Sequence, residues 1–408
     1  MNQHLLHKRS FVITLGLLTG IAALTVDISL PAIPAMVDAL STSMSRGQQI
    51  VGIFMAGMAV GQIPSGLLSD RVGRMPVLFV GMSIFSIAAI VAAAASSIEV
   101  MLVARFVQGF GAASAVVLSR AIVRDVASGQ AAARLMSLMT MIFTAAPVIA
   151  PSIGALLIAQ WGWRAPFIVI AICAVLLLLS IRSNIVETHL PHTDGHPLRQ
   201  LINSFREFFS HRQSIFALLL VVLLPAGFMS IITTSAALAV EIYSFSVQQY
   251  GLIFACAGIA ILIGAGLNRM LVTRYSTFQL IGLGALLTGI SGTSLLLIAW
   301  MNGAAFWWLW LSVCTFMFTV AILIPNATVL ALDPLPKIAG VASSIIGTLQ
   351  NISGAASALF AASIYDSSVR NSVIIMGVVG VSVAAVFLLR PLIAPGPLVH
   401  HPKELARD

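Results

Sequence analysis

Between Phe11 and Arg390 the chain is a near-continuous series of apolar runs, each about 20 residues long and separated by short polar segments. A helix needs roughly 20 residues at 1.5 Å each to cross a bilayer. On that ruler the runs near 11–34, 49–68, 76–96, 99–119, 134–159, 164–183, 214–240, 249–268, 276–300, 304–330, 338–363 and 371–390 predict twelve spans. Lys8 and Arg9 ahead of the first run mimic a secretory signal, but the run continues through Asp27, Pro31 and Pro34 with no small-residue cleavage site. It is therefore read as a retained span.

Composition supports the pattern: 59% of residues are hydrophobic and only 8% charged, with a mean hydropathy of +1.04, whereas soluble proteins carry about 25% charged residues. The chain is thus an all-α integral membrane protein. A net charge of +8 would suit nucleic acid, but the basic residues are scattered singly through short loops and form no stripe. The scatter instead sets topology. With the N-terminus inside, seventeen of the 21 basic residues fall in cytoplasmic segments and three outside, Arg105 lying within a span, so the positive-inside rule places both termini in the cytoplasm. Cys173, Cys256 and Cys314 are odd in number and lie inside apolar runs, which implies no disulfide framework.

One long polar stretch, Asn184 to Gln213, divides the spans six and six. It predicts an N-terminal six-helix bundle over 1–184, a flexible cytoplasmic linker over 185–213 and a C-terminal bundle with a short tail over 214–408. The linker's His189, His192 and His196 are ordinary in a polar loop, and no metal site is expected. The halves resemble each other at an offset of 200 residues: Gln48, Gln49, Ile53, Phe54, Gly66, Leu67, Val72 and Arg74 recur as Gln248, Gln249, Ile253, Phe254, Gly266, Leu267, Val272 and Arg274. Two related halves around a midplane site is the repeat logic of transporters.

Candidate chemistry starts with Asp27, well inside the first span. A charge in hydrocarbon costs at least about 2.5–3.5 kcal/mol, so intramembrane acids are usually functional. After the second span comes Gly66-Leu-Leu-Ser69-Asp70-Arg71-Val-Gly73-Arg74-Met-Pro76, where Gly73 suits a positive φ and Pro76 a helix start. This stretch closely resembles the signature loop between helices 2 and 3 of the major facilitator superfamily, a fold of two pseudo-symmetric six-helix bundles. The resemblance implies that Asp70, Arg71 and Arg74 lock the cytoplasmic ends of the two halves together in the outward-facing state, with Gly66 and Gly73 as packing and turn positions. The second-half copy, Gly266 to Arg274, lacks the acid.

In the fourth span, Arg105-Phe-Val-Gln108-Gly109-Phe-Gly111 resembles the family's helix 4 motif, associated with proton transfer in drug/proton antiporters. At 1.5 Å per residue Asp27 lies roughly 24 Å from the inner end of its helix and Arg105 roughly 10 Å from the outer end of its own. Their similar height predicts a shared cavity. Burial favours the neutral acid and a nearby guanidinium the ionised one, so moving Arg105 or a cationic substrate relative to Asp27 would load or release a proton. A static pair that merely aligns two helices is the alternative. Pro147, Pro151 and Gly154 in the fifth span predict a bent helix and partly resemble the antiporter motif of helix 5. Glu241, at the outer end of the seventh span, is expected at the interface.

Asp27-Ile-Ser-Leu30-Pro31-Ala-Ile-Pro34, Arg124-Asp125 and Asp333-Pro334-Leu-Pro336-Lys-Ile-Ala-Gly340 look like the Bcr/CflA subgroup of drug/proton antiporters, and the resemblance covers essentially the whole chain. It implies a monomeric inner-membrane exporter of small amphipathic drugs driven by the proton gradient, without a cofactor, and adds Asp125 to the cytoplasmic gate. Some drug antiporters carry a second acid deeper in helix 1, where this chain has Thr19-Gly20-Ile-Ala-Ala23; one proton per cycle is the expectation. The cavity is expected between helices 1, 4, 7 and 10, with 2, 5, 8 and 11 contributing. Phe54, Met55, Met58, Gln108, Met141, Phe228, Met229, Phe254, Phe316 and Asn351 are candidates, since Met and aromatic faces repack around varied ligands. No phosphate-cradling G-x-x-x-x-G-K-[ST] sequence occurs, and no enzyme activity is expected. The rival expectation keeps the fold and moves one metabolite, such as a nucleobase, amino acid or siderophore.

Overall fold

The computed structural model describes residues 9–127, 129–188 and 197–396, and among them every regular element is helical. Twelve long helices run through the molecule: α1 (Arg9–Asp27), α2 (Met44–Val72), α3 (Arg74–Ala93), α4 (Ile98–Val126), α5 (Gly129–Trp161), α6 (Ala165–Asn184), α7 (Arg212–Ala237), α8 (Val247–Leu271), α9 (Thr277–Met301), α10 (Phe306–Leu332), α11 (Ala339–Ser363) and α12 (Val369–Leu388). Eleven segments among the described residues are long and apolar enough to cross a membrane. The twelfth crossing is α5, 33 residues long, whose stretch Ala145–Trp161 is apolar. The protein is a multi-pass membrane protein of two pseudo-symmetric six-helix bundles. The face where α1 begins and α12 ends is the terminal face; the opposite one is the distal face.

Local sequence explains where helices start and break. Ser43 and Ser97 cap α2 and α4 by accepting from the amides of Arg46 and Val100. Ser246 and Ser276 form reciprocal capping boxes with Gln249 and Gln279, which satisfies donors that a helix start leaves free. The first apolar run is not one helix. Pro31 has no N–H to give the Asp27 carbonyl, so α1 stops at Asp27 and the chain passes through a tight turn, Leu30–Ala32, into a short helix, Ile33–Ala39. By contrast α5 continues unbroken through Pro147 and Pro151.

The stretch expected to be a flexible linker contains a helix, Pro197–Ser210. Its apolar residues recur every three or four positions (Leu198, Leu201, Ile202, Phe205, Phe208, Phe209), a period that orders a helix against a surface, and Phe208 is completely buried. The three linker histidines lie outside the described residues.

Small residues let the bundles close. Gly57 sits against the Phe106 carbonyl and Gly109 against the Phe54 carbonyl, where any side chain would collide with backbone, so α2 and α4 cross in direct contact. Two seams join the halves. Along α5 and α8, Ser152 Oγ donates to the Gly251 carbonyl at 3.1 Å, and Gly258 packs on Val148. Along α2 and α11, Gly52 packs on Leu359 near the distal face. Nearer the terminal face of that seam, Thr348 Oγ1 donates to Gln62 Oε1 at 3.2 Å.

Candidate functional site: a cavity between the halves

A cavity of about 230 Å³ lies between the two bundles, lined by Ala22, Ala23, Val26 and Asp27 of α1, Met55 and Met58 of α2, Pro147 of α5, Phe228, Met229 and Ile232 of α7, and residues of α8, α10 and α11. Among the described residues, Asp27 and Asn351 are its only polar lining residues; the others are aliphatic, methionine or phenylalanine. Asp27 is 5% exposed and no hydrogen bond or ion pair among the described residues reaches its carboxyl group. The break at Pro31 fixes its place: as the last residue of α1, it stands where the helix yields to a turn. Asn351 donates to the Gly347 carbonyl one turn back at 3.0 Å.

The expected candidates divide. Met58, Phe228, Phe254 and Asn351 line the cavity, with Met55 and Met229. Gln108 does not; it is completely buried beside Arg105. Phe316 is buried away from the lining, and Met141, 60% exposed, is not among the lining residues. No residue of α4 lines the cavity.

Arg105 is therefore not in a cavity shared with Asp27. Completely buried, its guanidinium lies 4.6 Å over the Phe54 ring and 6.0 Å from that of Phe167. It donates to Gln108 Oε1 at 3.0 Å and to the Ile50 carbonyl at 3.4 Å. Depth along two helices placed the residues at one level; the direction each side chain takes around its helix separates them.

At the terminal face the expected gate residues form a network. Arg74 pairs with Asp70, and with Asp125 at 3.0 Å, and donates to Ser69 Oγ at 2.8 Å. Gly73, at φ +100°, turns the chain between α2 and α3. Glu187 was not singled out from the sequence: its carboxylate accepts from the amides of Arg74 and Met75 at 2.9 and 3.0 Å, an anion at the start of α3 where free amides and the helix dipole favour it. Its signal is an acid just past the last basic residue of the sixth span. The network ties α2, α3, α4 and the chain after α6, all in the first half. Arg71 is exposed. An uncharged bond between the halves here, Gln62–Thr348, lies between the central cavity, with Met58 and Asn351, and a second cavity of about 420 Å³ between α2, α4 and α11. Neither residue was expected from sequence, where each is one polar position in an apolar run.

The helix 5 residues serve both cavity and seam. Pro147 lines the cavity, the Pro151 carbonyl faces Gly251 at the distal seam, and Gly154 packs beneath the Ile28 carbonyl. Glu241 is exposed at the distal end of the α7 segment and accepts from Tyr365 Oη at 2.7 Å.

Comparison with known proteins decides the family. The family model of the Major Facilitator Superfamily matches residues 15–358. The chain belongs to that superfamily. It is 29% identical over 382 residues to a bicyclomycin resistance protein homolog of Haemophilus influenzae, covering 93% of this chain and 96% of that one. It is 29% identical over 343 residues to multidrug resistance protein D of Escherichia coli K12, covering 84% and 86%. Among solved structures its fold is similar to a D-xylose-proton symporter, with a TM-score of 0.76 at 18% identity over 93% of this chain and 96% of that one. It is also similar to an inward-facing, unoccupied bacterial homologue of the human lysosomal transporter Spinster, with a TM-score of 0.73 at 16% identity, covering 95% and 98%.

Proposed function

We propose that this superfamily member exports small amphipathic drugs in exchange for protons across a bacterial cytoplasmic membrane, with both termini in the cytoplasm. The observation that carries the reading is Asp27: one acid without a described partner on the wall of a largely apolar cavity enclosed by both halves. Resistance proteins among its relatives, matched over most of the chain, supply the substrate class, and the basic residues of the loops supply the orientation.

The geometry gives a coupling logic. An ionised carboxylate in an apolar site is costly unless a cation or hydrogen-bond donor reaches it. Asp27 has two ways to meet that cost, taking a proton or taking a substrate that brings a positive or donor group. The two compete, and linkage demands that the proton weaken substrate binding by the factor with which substrate weakens proton binding. Met55, Met58, Met229 and Met317, with Phe228 and Phe254, then form a repackable apolar wall that recognises shape loosely. Arg105, held away from the cavity, acts through the α2–α4 packing it shares with Phe54.

Expression of wild type, Asp27→Asn and empty vector in an efflux-deficient bacterial host, at matched amounts of folded protein, tests this across a panel of antibiotics and dyes. The expected result is resistance to several unrelated compounds that falls to the vector level in Asp27→Asn. Resistance to none refutes drug export; resistance unchanged by the substitution refutes Asp27 as the coupling acid.

A further inference from the structure

The 420 Å³ cavity at the terminal face is chemically unlike the central one. Its walls carry Arg120 and Arg124 of α4, Asp70 of α2, and Ser343 and Thr348 of α11. The two arginines are four residues apart, so they share one face of α4, and both are exposed. Asp70 is engaged by Arg74, as is Asp125, whereas no carboxylate among the described residues lies within 4 Å of Arg120 or Arg124. Like charges one turn apart repel, and two guanidinium-bearing side chains lining one space are matched to an anion with several oxygens. The space is open: nothing lies within 4 Å of where a side chain at Gly347 would begin, and only Val117, at 3.8 Å, near that point on Gly66. Across it, the early turns of α11 add hydroxyl groups and the positive end of a helix dipole.

We infer that this mouth binds a phosphate-bearing anion, held by Arg120 and Arg124 from the first half and by the start of α11 from the second. Such a ligand would join the halves on the side where Gln62 and Thr348 also join them through an uncharged bond, and would thereby favour the conformation in which α4 and α11 stand close. The phosphate is either free or the headgroup of an acidic phospholipid reaching in from the adjoining leaflet. The site does not depend on the drug-export reading and can fail without it.

The test uses the purified full-length protein in neutral detergent, titrated at constant ionic strength with inorganic phosphate, with dioctanoyl phosphatidylglycerol, and with dioctanoyl phosphatidylcholine as a zwitterionic control, binding being read as a saturable thermal shift. Wild type is expected to give a saturable shift with phosphatidylglycerol that exceeds any with phosphatidylcholine. The apparent Kd should rise at least tenfold in Arg120→Gln/Arg124→Gln and stay unchanged in Arg182→Gln, which removes one charge elsewhere on the same face. If the double Gln variant fails to fold, Arg120→Lys/Arg124→Lys keeps the charge but loses the fork, and a severalfold weakening is expected. A shift with phosphate as well as phosphatidylglycerol assigns a free anion; a shift with phosphatidylglycerol alone assigns a lipid headgroup. No saturable shift with either probe, or an equal loss in Arg182→Gln, overturns the site.

Discussion

Arg105 in the first half and Trp310 in the second occupy matching places. Each lies on the fourth helix of its half, packs on a phenylalanine of the repeated segment, and donates to a backbone carbonyl of the second helix. Arg105 sits 4.6 Å over Phe54 and reaches the Ile50 carbonyl at 3.4 Å; Trp310 sits 6.4 Å from Phe254 and reaches the Ile253 carbonyl at 2.9 Å. The indole spends its one donor. The guanidinium has five, and its Nη2, like Gln108 Nε2, has no partner among the described residues. The terminal ends of the second helices repeat the contrast: Arg74 joins Asp70 and Asp125 by charge, while Asn326 joins Asn268 by a neutral amide bond of 2.7 Å. A scaffold needs only the second half's solution. The first half keeps buried charge and unspent donors at a cost, which argues that its polar groups serve transport.

The largest expected effect separates Arg105 from Trp310. Trp310→Ala removes a large buried side chain and should destabilise the protein by about 3–5 kcal/mol, with efflux falling only as the folded amount falls. Arg105→Met removes a buried ion for an apolar chain of similar length; the relieved charge offsets the orphaned Gln108 carbonyl, and stability should stay within about 1 kcal/mol. Resistance should nonetheless collapse. Thermal unfolding in detergent beside drug resistance at matched expression reads both. If Arg105→Met loses stability as Trp310→Ala does and keeps proportionate efflux, Arg105 is scaffold and the contrast dissolves.

What the sequence disclosed follows the same physics. Span number, the two bundles and the place of an acid, Asp27, within the first apolar run were legible because hydrocarbon penalises charge and demands long apolar runs. The turn at Gly73 was legible because few residues take its φ. The azimuth of Arg105, Gln108 and Met141 was not: in a span that is apolar all round, no polar stripe says which face looks inward. The amphipathic helix Pro197–Ser210 was written in the sequence as a three-and-four spacing and was obscured by the polar composition around it. The bond between Gln62 and Thr348 joins residues 286 apart, a distance no local pattern spans.

A smaller effect should distinguish the terminal ties. Arg74→Gln strands Asp70 and Asp125, the latter with its side chain 18% exposed, and should cost about 2 kcal/mol, between the values for surface and buried pairs. Asn326→Ala should cost about 1 kcal/mol, the worth of an ordinary hydrogen bond. Raising NaCl from 0.1 to 1 M shortens the screening length from about 10 to about 3 Å and should shrink the Arg74→Gln deficit while leaving that of Asn326→Ala unchanged. Equal salt dependence in both would mean that the ionic tie is no different in kind from the neutral one.

The smallest effect belongs to the place where the two chemistries meet. Gln62 and Thr348 come from opposite halves, are nearly buried, and share one neutral bond between the central cavity and the terminal mouth. Thr348→Val keeps the shape of the side chain and removes the donor, so it should cost only about 1 kcal/mol. Because the bond exists only while α2 and α11 stand close, that loss falls on one conformation and not on the other, and a shift of about 1 kcal/mol changes their ratio roughly fivefold. Distance measurements between spin labels on the terminal ends of α2 and α11 should show the wider separation gaining population by about that factor, with thermal stability nearly unchanged. A distribution identical to wild type would mean that the bond forms in both conformations or in neither, and so does not select between them.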